Sequence, residues 1–154
     1  MSDRHAPTPH GADSVPVLVV GAGGHARVCA EALIDSGFTL TGCLSADGSS
    51  VPGLPMPVVG TDDQLEAVAE RLGVRHVFIA VGDNQARERL QRRAEVAGLL
   101  AVQAISRFAM VSPTAHLGRG VVVAAGAVVN AAAQVADGVI LNTRCSIDHD
   151  CTVA

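Results

Sequence analysis

Near its end the chain reads Cys145-Ser-Ile-Asp148-His149-Asp150-Cys151, one imidazole between two carboxylates with a thiol close on either side. Two chemistries use such residues. Thiolates and an imidazole hold zinc when their side chains converge on one point. A histidine beside a carboxylate takes protons: the carboxylate orients the ring, favours the tautomer with a free basic nitrogen and stabilises the imidazolium that forms. A second cluster lies toward the other end, where Gly21-Ala22-Gly23-Gly24-His25-Ala26 satisfies G-x-G-x-x-A. Backbone amides at such a turn hold an anionic group because no Cβ blocks its approach. His25 either faces that ligand or serves as a capping or solvent-facing imidazole.

The phase of the surrounding pattern decides between the first two chemistries. From Val111 the chain divides into sixes. The first place of each holds Val111, Leu117, Val123, Val129, Val135, Leu141, Ile147 and Val153, and the fifth holds Ala115, Val121, Ala127, Ala133, Val139, Cys145 and Cys151. One branched aliphatic and one small residue per hexad is the requirement of a triangular parallel β-helix. Each hexad makes a face and a corner, three make a coil, and coils stack at the roughly 4.8 Å spacing of paired strands. Such hexapeptide prisms wind left-handed, against the usual crossover rule. In this phase Cys145 and Cys151 point inward as space-fillers, and His149, at the third place, stands on an outward corner between Asp148 and Asp150. No metal is expected, and proton abstraction by His149 with Asp150 is the favoured chemistry.

The glycine turn is carried by a different architecture. An apolar run at 15–20 reads as a buried strand, followed by the turn and a helix ending at Gly37. A second strand is expected at 38–44 and then a Gly/Pro/Ser loop. Thr61 and Gln64 form a capping box for a helix stopping at Gly73. Strands at 74–82 and 99–105 flank a helix capped by Asp83 or Asn84 and closed by Gly98. This alternation predicts a small parallel sheet flanked by helices. The fold class is therefore an α/β Rossmann-like unit followed by an all-β left-handed parallel β-helix. The boundaries are a loose tail over 1–14, the Rossmann-like unit over 15–106 and the repeat unit over 107–154. The prism stops two residues into its eighth hexad, so the chain is expected to be a fragment of a longer protein, or to have its end covered by a partner.

Composition removes several functions. The formal charge is −4 and the eleven cations are all Arg. Only Arg87, Arg89, Arg92 and Arg93 gather, and they read as the solvated face of a helix, so nucleic acid is not an expected partner. No stretch has the roughly 20 apolar residues of a membrane span. Residues 1–14 lack the apolar core of a secretory signal, and four cysteines without one predict free thiols in the cytoplasm. A dinucleotide site wants an acid at the end of the second strand, where this chain has Cys43-Leu44-Ser45-Ala46-Asp47 with Asp47 past the expected position. A phosphate or nucleotide-sugar site is favoured over NAD, with a purely structural turn as the remaining reading.

Together, "VLVVGAGGHARV", "HVFIAVGDN", the hexads and "ILNTRCSIDHDC" resemble the sugar O- and N-acyltransferases of the sialic acid O-acetyltransferase type. The match extends in order over about residues 15 to 154. It is similar in particular to the UDP-4-amino-sugar N-acetyltransferases of the bacillosamine pathway. The resemblance implies a Rossmann-like domain that binds the nucleotide sugar, a left-handed β-helix that binds acetyl-CoA as co-substrate, and a homotrimer with active sites between subunits. It implies His149 as proton acceptor and Asp150 in place of the family's Glu. Gly23, Gly24 and His25 correspond to the turn that contacts the nucleotide sugar, Gly82 to a further substrate contact, and Asn142 lies near the acceptor. Family members carry an Asp pair where this chain has Ser45-Ala46-Asp47, and most of their acetyl-CoA contacts lie in coils beyond the histidine. A non-catalytic nucleotide-sugar-binding module is the alternative function, and an NAD-binding protein a further one.

Overall fold

The computed structural model describes residues 14–154, and the expected tail lies outside the described residues apart from Ser14. From Val15 the order is β1 (Val15–Val20), α1 (Gly24–Asp35), β2 (Phe38–Ser45), β3 (Val58–Thr61), α2 (Leu65–Leu72), β4 (His76–Ile79), α3 (Asn84–Val96) and β5 (Leu100–Ala101). The five strands pair in parallel in the order β3-β2-β1-β4-β5. β1 is central and apolar on both faces. Val17 and Val19 join a core with Cys29 and Leu33 of α1, while Leu18 and Val20 join one with Leu65 of α2 and Leu90 of α3. The strand order reverses between β1 and β4, and the loops leaving their C-terminal ends border the crevice where ligands of open α/β sheets bind.

Local chemistry sets the helix ends. Asp83 caps α3, its Oδ1 accepting from the Ala86 amide at 2.8 Å. The predicted capping box stands: the Thr61 amide donates to Gln64 Oε1 at 3.1 Å. The turn it caps is 3₁₀ over Asp62–Gln64 before α2 proper begins, and α2 closes on Gly73 in the left-handed region. β3 was not predicted. It is a four-residue edge strand, half-buried, that follows Pro57 and contains Gly60, so it lacks the apolar run that marks an inner strand. The strand expected at 74–82 is confined to β4.

The strand expected over 99–105 is two. β5 closes the sheet against β4, and Ala104–Ile105 pairs instead with Val122–Val123 of the prism. An apolar run carries no mark of where it changes partner. We therefore propose that the repeat unit begins at 104 rather than at 107.

The prism has three parallel faces. The first is β6 (Ala104–Ile105), β9 (Val122–Val123) and β12 (Ile140–Leu141); the second is β7 (Met110–Val111), β10 (Val128–Val129) and β13 (Ser146–Ile147). The third is β8 (His116–Leu117), β11 (Gln134–Val135) and β14 (Thr152–Val153). Every strand pairs with the one 18 residues away, three hexads to a coil. Val123, Val129, Val135 and Leu141 fill the prism, and Val121, Ala127 and Ala133 fit beside them, as the phase requires. Cys145 packs against this core, half-buried. Cys151 departs from the expectation: it is exposed and does not join this core, since none of the described residues stacks over its coil.

The corners share one device. Gly120, Gly126, Ala132, Gly138, Arg144 and Asp150 occupy the fourth place of successive hexads and all have positive φ, between 57° and 74°. In the turns at 124–127, 130–133, 142–145 and 148–151 the first carbonyl accepts from the fourth amide at 3.1–3.4 Å. Positive φ at the third of four residues is the type II geometry.

The two units are packed together. The outward residues Ala104 and Val122 of the first face are buried in the core that α1 shares, and Ile140 packs against it. Ser36, at the end of α1, accepts from the Ile105 amide at 2.9 Å and donates to its carbonyl at 3.1 Å. Asp35 accepts from the backbone and guanidinium of Arg107. Among the described residues no helix is long and apolar enough to cross a membrane.

Candidate active site

The glycine turn joins β1 to α1 at the sheet's switch point. Gly21 has φ 118°, and a Cβ there would lie 2.5 Å from the Ala80 carbonyl oxygen, so its glycine is required by close packing against the end of β4. Gly23, Gly24 and Gly82 are different: a Cβ on any of them would meet nothing within 4 Å. No neighbour among the described residues requires them to be bare, and their exposed backbone faces open space. Gly23 is the N-cap of α1, and no side chain caps that end. The Ala26 amide bonds to the Gly23 carbonyl at 3.1 Å, and no side-chain cap occupies the amides of Gly24 and His25, a geometry that can accept an anionic group.

His25, one residue further on, is half-buried. Its Nε2 lies 3.3 Å from Cys29 Sγ, one helical turn below. Burial, with a smaller contribution from the Arg87 cation, lowers the imidazole pKa below its ordinary value. The ring is therefore neutral near pH 7 and offers one donor and one acceptor. Burial also pushes the Cys29 thiol up to about 12, which leaves it a thiol rather than a nucleophile.

His25, Gly82 and Asn142 line one open cleft of about 870 Å³ between α3 and the prism. The sheet supplies two of them through adjacent loops, and the 142–145 corner supplies the third. Gly23 and Gly24 stand just before His25, exposed, outside the cleft's lining.

His149 and Asp150 do not join them. Their turn, Asp148 to Cys151, joins the second and third faces, and Asp150 takes its left-handed third position with φ 59°. Asp tolerates that region better than most residues. The turn throws both side chains into solvent, where His149 Nδ1 lies 2.7 Å from Asp150 Oδ2. The hydrogen bond from Asp150 first, then its charge and that of Asp148, raises the imidazole pKa. Nε2 is left free to accept a proton. In a triangular prism this corner lies opposite the first face, and the first face is the one packed on the α/β unit. Neither His149 nor Asp150 lines the cleft. The thiols do not converge on the histidine either: among the described residues no three His, Cys, Asp or Glu side chains are grouped to hold a metal ion.

Two residues carry more than the sequence reading assigns them. Asp47 lies just past the end of β2, and its Oδ1 accepts from Ser45 Oγ, the Ser49 amide and Ser49 Oγ at 2.6–3.0 Å. These bonds, those from Ser49 first, bring its pKa down to about 2, so a fixed carboxylate stands near the place of the missing acid pair. The loop that carries it is tied to the glycine turn by the Val51 amide on the Ala22 carbonyl. Arg87, expected on a solvated face, is buried. The signal was present: Arg87, Leu90, Gln91 and Ala94 follow the helical period of one inward face.

With this geometry in place, the likenesses to known proteins are informative. The family model described as the PglD N-terminal domain matches residues 16–94. PerB from Caulobacter crescentus, solved with CoA and GDP-perosamine, is 40% identical, with a TM-score of 0.82 over 89% of this chain and 64% of its own. Two variants of the perosamine N-acetyltransferase of that organism, with one histidine changed to Asn or to Ala, match at 39% identity and a TM-score of 0.83. The acetyltransferase domain of PglB from Neisseria gonorrhoeae, in complex with acetyl coenzyme A, is 36% identical with a TM-score of 0.78, covering 90% of this chain and 67% of that one. This chain thus spans just under two thirds of the length of the Caulobacter enzyme. A Rossmann-like sheet with a bare glycine turn, a left-handed hexapeptide prism and an exposed His-Asp corner occur here in one chain, and the chain belongs to the sugar acyltransferase family of the PglD N-terminal domain.

Proposed function

We propose that the protein transfers an acetyl group from acetyl-CoA to the amine of a nucleotide-linked amino sugar. The observation that carries the proposal is the 2.7 Å contact of His149 Nδ1 with Asp150 on an exposed corner, with Nε2 free. Nε2 takes a proton from the sugar amine as its nitrogen attacks the thioester carbonyl. The C–N bond forms, the C–S bond breaks, and CoA leaves as a thiolate that recovers the proton from the imidazolium. No acyl-enzyme is needed. The choice of amine is supported by the N-acetyltransferases among the similar structures, whose bound molecules include CoA and GDP-perosamine.

Gly23, Gly24 and the α1 amides hold the anionic part of the nucleotide sugar, Gly82 lets its backbone approach the sugar, and His25 and Asn142 bond to polar groups near the acceptor. Because His149 lies on the corner opposite the face that abuts its own α/β unit, the active site forms between copies. One subunit gives the base and its neighbour gives the cleft, in the threefold assembly that the family resemblance implies. The test is direct: the protein is incubated with acetyl-CoA and a GDP- or UDP-linked 4-amino sugar, and free thiol and acetylated sugar are measured. Release of both in equal amounts supports the proposal; absence of acetylated sugar with either nucleotide sinks it.

The separation of His149 from its own cleft favours a second reading, a nucleotide-sugar-binding module without catalysis. A rise in melting temperature with the nucleotide sugar but none with acetyl-CoA is the outcome that reading predicts.

A further inference from the structure

The cleft has one feature that its proposed ligand contacts do not use. Arg87 is a buried cation, and every partner its guanidinium finds is a neutral oxygen. Nε donates to the Gly138 carbonyl at 2.7 Å, Nη1 to the carbonyls of Val81 and Gly82 at 3.0 and 2.9 Å, and Nη2 to Asn84 Oδ1 at 2.7 Å. Among the described residues it has no carboxylate partner. A buried charge without an opposite charge is costly unless its hydrogen bonds are well made, and here four of five N–H groups are used. The fork geometry of the guanidinium is what permits this, because its rigid donors diverge in one plane.

The partners belong to two units. Val81, Gly82 and Asn84 form the loop from β4 into α3, whereas Gly138 is a corner of the prism. One side chain thereby fixes the distance between the two walls of the cleft. Gln91, one turn along α3, continues the seam. It donates to the Arg119 carbonyl at 3.4 Å, and its Oε1 would lie 2.7 Å from a Cβ at Gly120 and 3.1 Å from one at Gly138. The stacked corners are bare where α3 meets them.

We propose that Arg87 is the positioning residue of the cleft, clamping the Gly82 loop to the Gly138 corner so that the acceptor's binding groups keep their spacing. This rests on the acceptor site proposed above. Lysine keeps the charge but cannot span both walls, and methionine keeps bulk alone.

The experiment compares Arg87→Lys and Arg87→Met with the wild type in two measurements. The first is steady-state kinetics with acetyl-CoA and the nucleotide-linked amino sugar. The second is amide hydrogen exchange over 81–86 and 136–139. Both variants should raise KM for the sugar by about tenfold or more, the worth of a charge-assisted bond, with KM for acetyl-CoA unchanged. Exchange should quicken in both segments while residues 17–20 of β1 stay protected. A lower melting temperature with unchanged KM for the sugar, or exchange unaltered in either segment, overturns the proposal. If the wild type transfers no acetyl group, the functional reading fails on its own, and the exchange measurement still decides whether Arg87 clamps the two walls. Arg87→Lys serves that purpose should Arg87→Met not fold.

Discussion

A histidine whose Nδ1 faces a carboxylate has one nitrogen left for chemistry, and it works only while that nitrogen is unprotonated. For His149 the hydrogen bond and charge of Asp150 raise the pKa, so the proposed activity should be low at acid pH and grow as pH rises through that raised value. Asp150→Asn removes the charge and moves this limb to lower pH, while slowing the reaction because the imidazolium loses its support. The pH profile of kcat/KM for the two proteins measures the displacement, and an unmoved limb contradicts the pairing. Asp150 has a second duty, since it occupies a left-handed corner. Asp150→Gly separates the duties: glycine takes φ 59° without strain, so the melting temperature should hold or rise while kcat/KM falls. A matched fall in both quantities would show that the carboxylate serves the turn rather than the base.

At the level of elements, the prism and the sheet were legible to different degrees for physical reasons. The hexads could be read because an 18-residue coil imposes the same demand at the same place each time, and Val129, Val135 and Leu141 meet it in the core. Leu141→Ala should cost about 2–5 kcal/mol, read as a lower urea midpoint with unchanged secondary structure. A loss well below that range would mean that the prism is not the packed core described here. Glycine placement could also be read, whereas β3 could not, because a short edge strand carries no apolar signature. The passage from β5 to β6 was hidden inside one apolar run, since partner choice is a tertiary matter. Arg87 was misread because charge composition was weighed and helical phase was not. His149 and Asp150 were found from phase alone, but their distance from the cleft depends on which prism face packs against α1, and no spacing in the sequence contains that.

For the whole molecule, the decisive fact is that the proposed base and its carboxylate stand outside the lining of the proposed acceptor cleft. If one copy's corner meets the next copy's cleft, subunits with different defects should complement each other. Mixtures of His149→Ala and a cleft-defective variant such as His25→Ala, refolded together, should recover activity that neither has alone, because some interfaces pair an intact corner with an intact cleft. Mixtures no more active than the sum of their parts would place the base elsewhere. The central claim, that His149 removes the proton during acetyl transfer, is tested most directly by kcat/KM across pH for the wild type and His149→Ala with acetyl-CoA and a nucleotide-linked amino sugar. His149→Ala should lose roughly 10²–10⁴-fold together with the acid limb; near-full turnover with the limb intact would rule His149 out as the base.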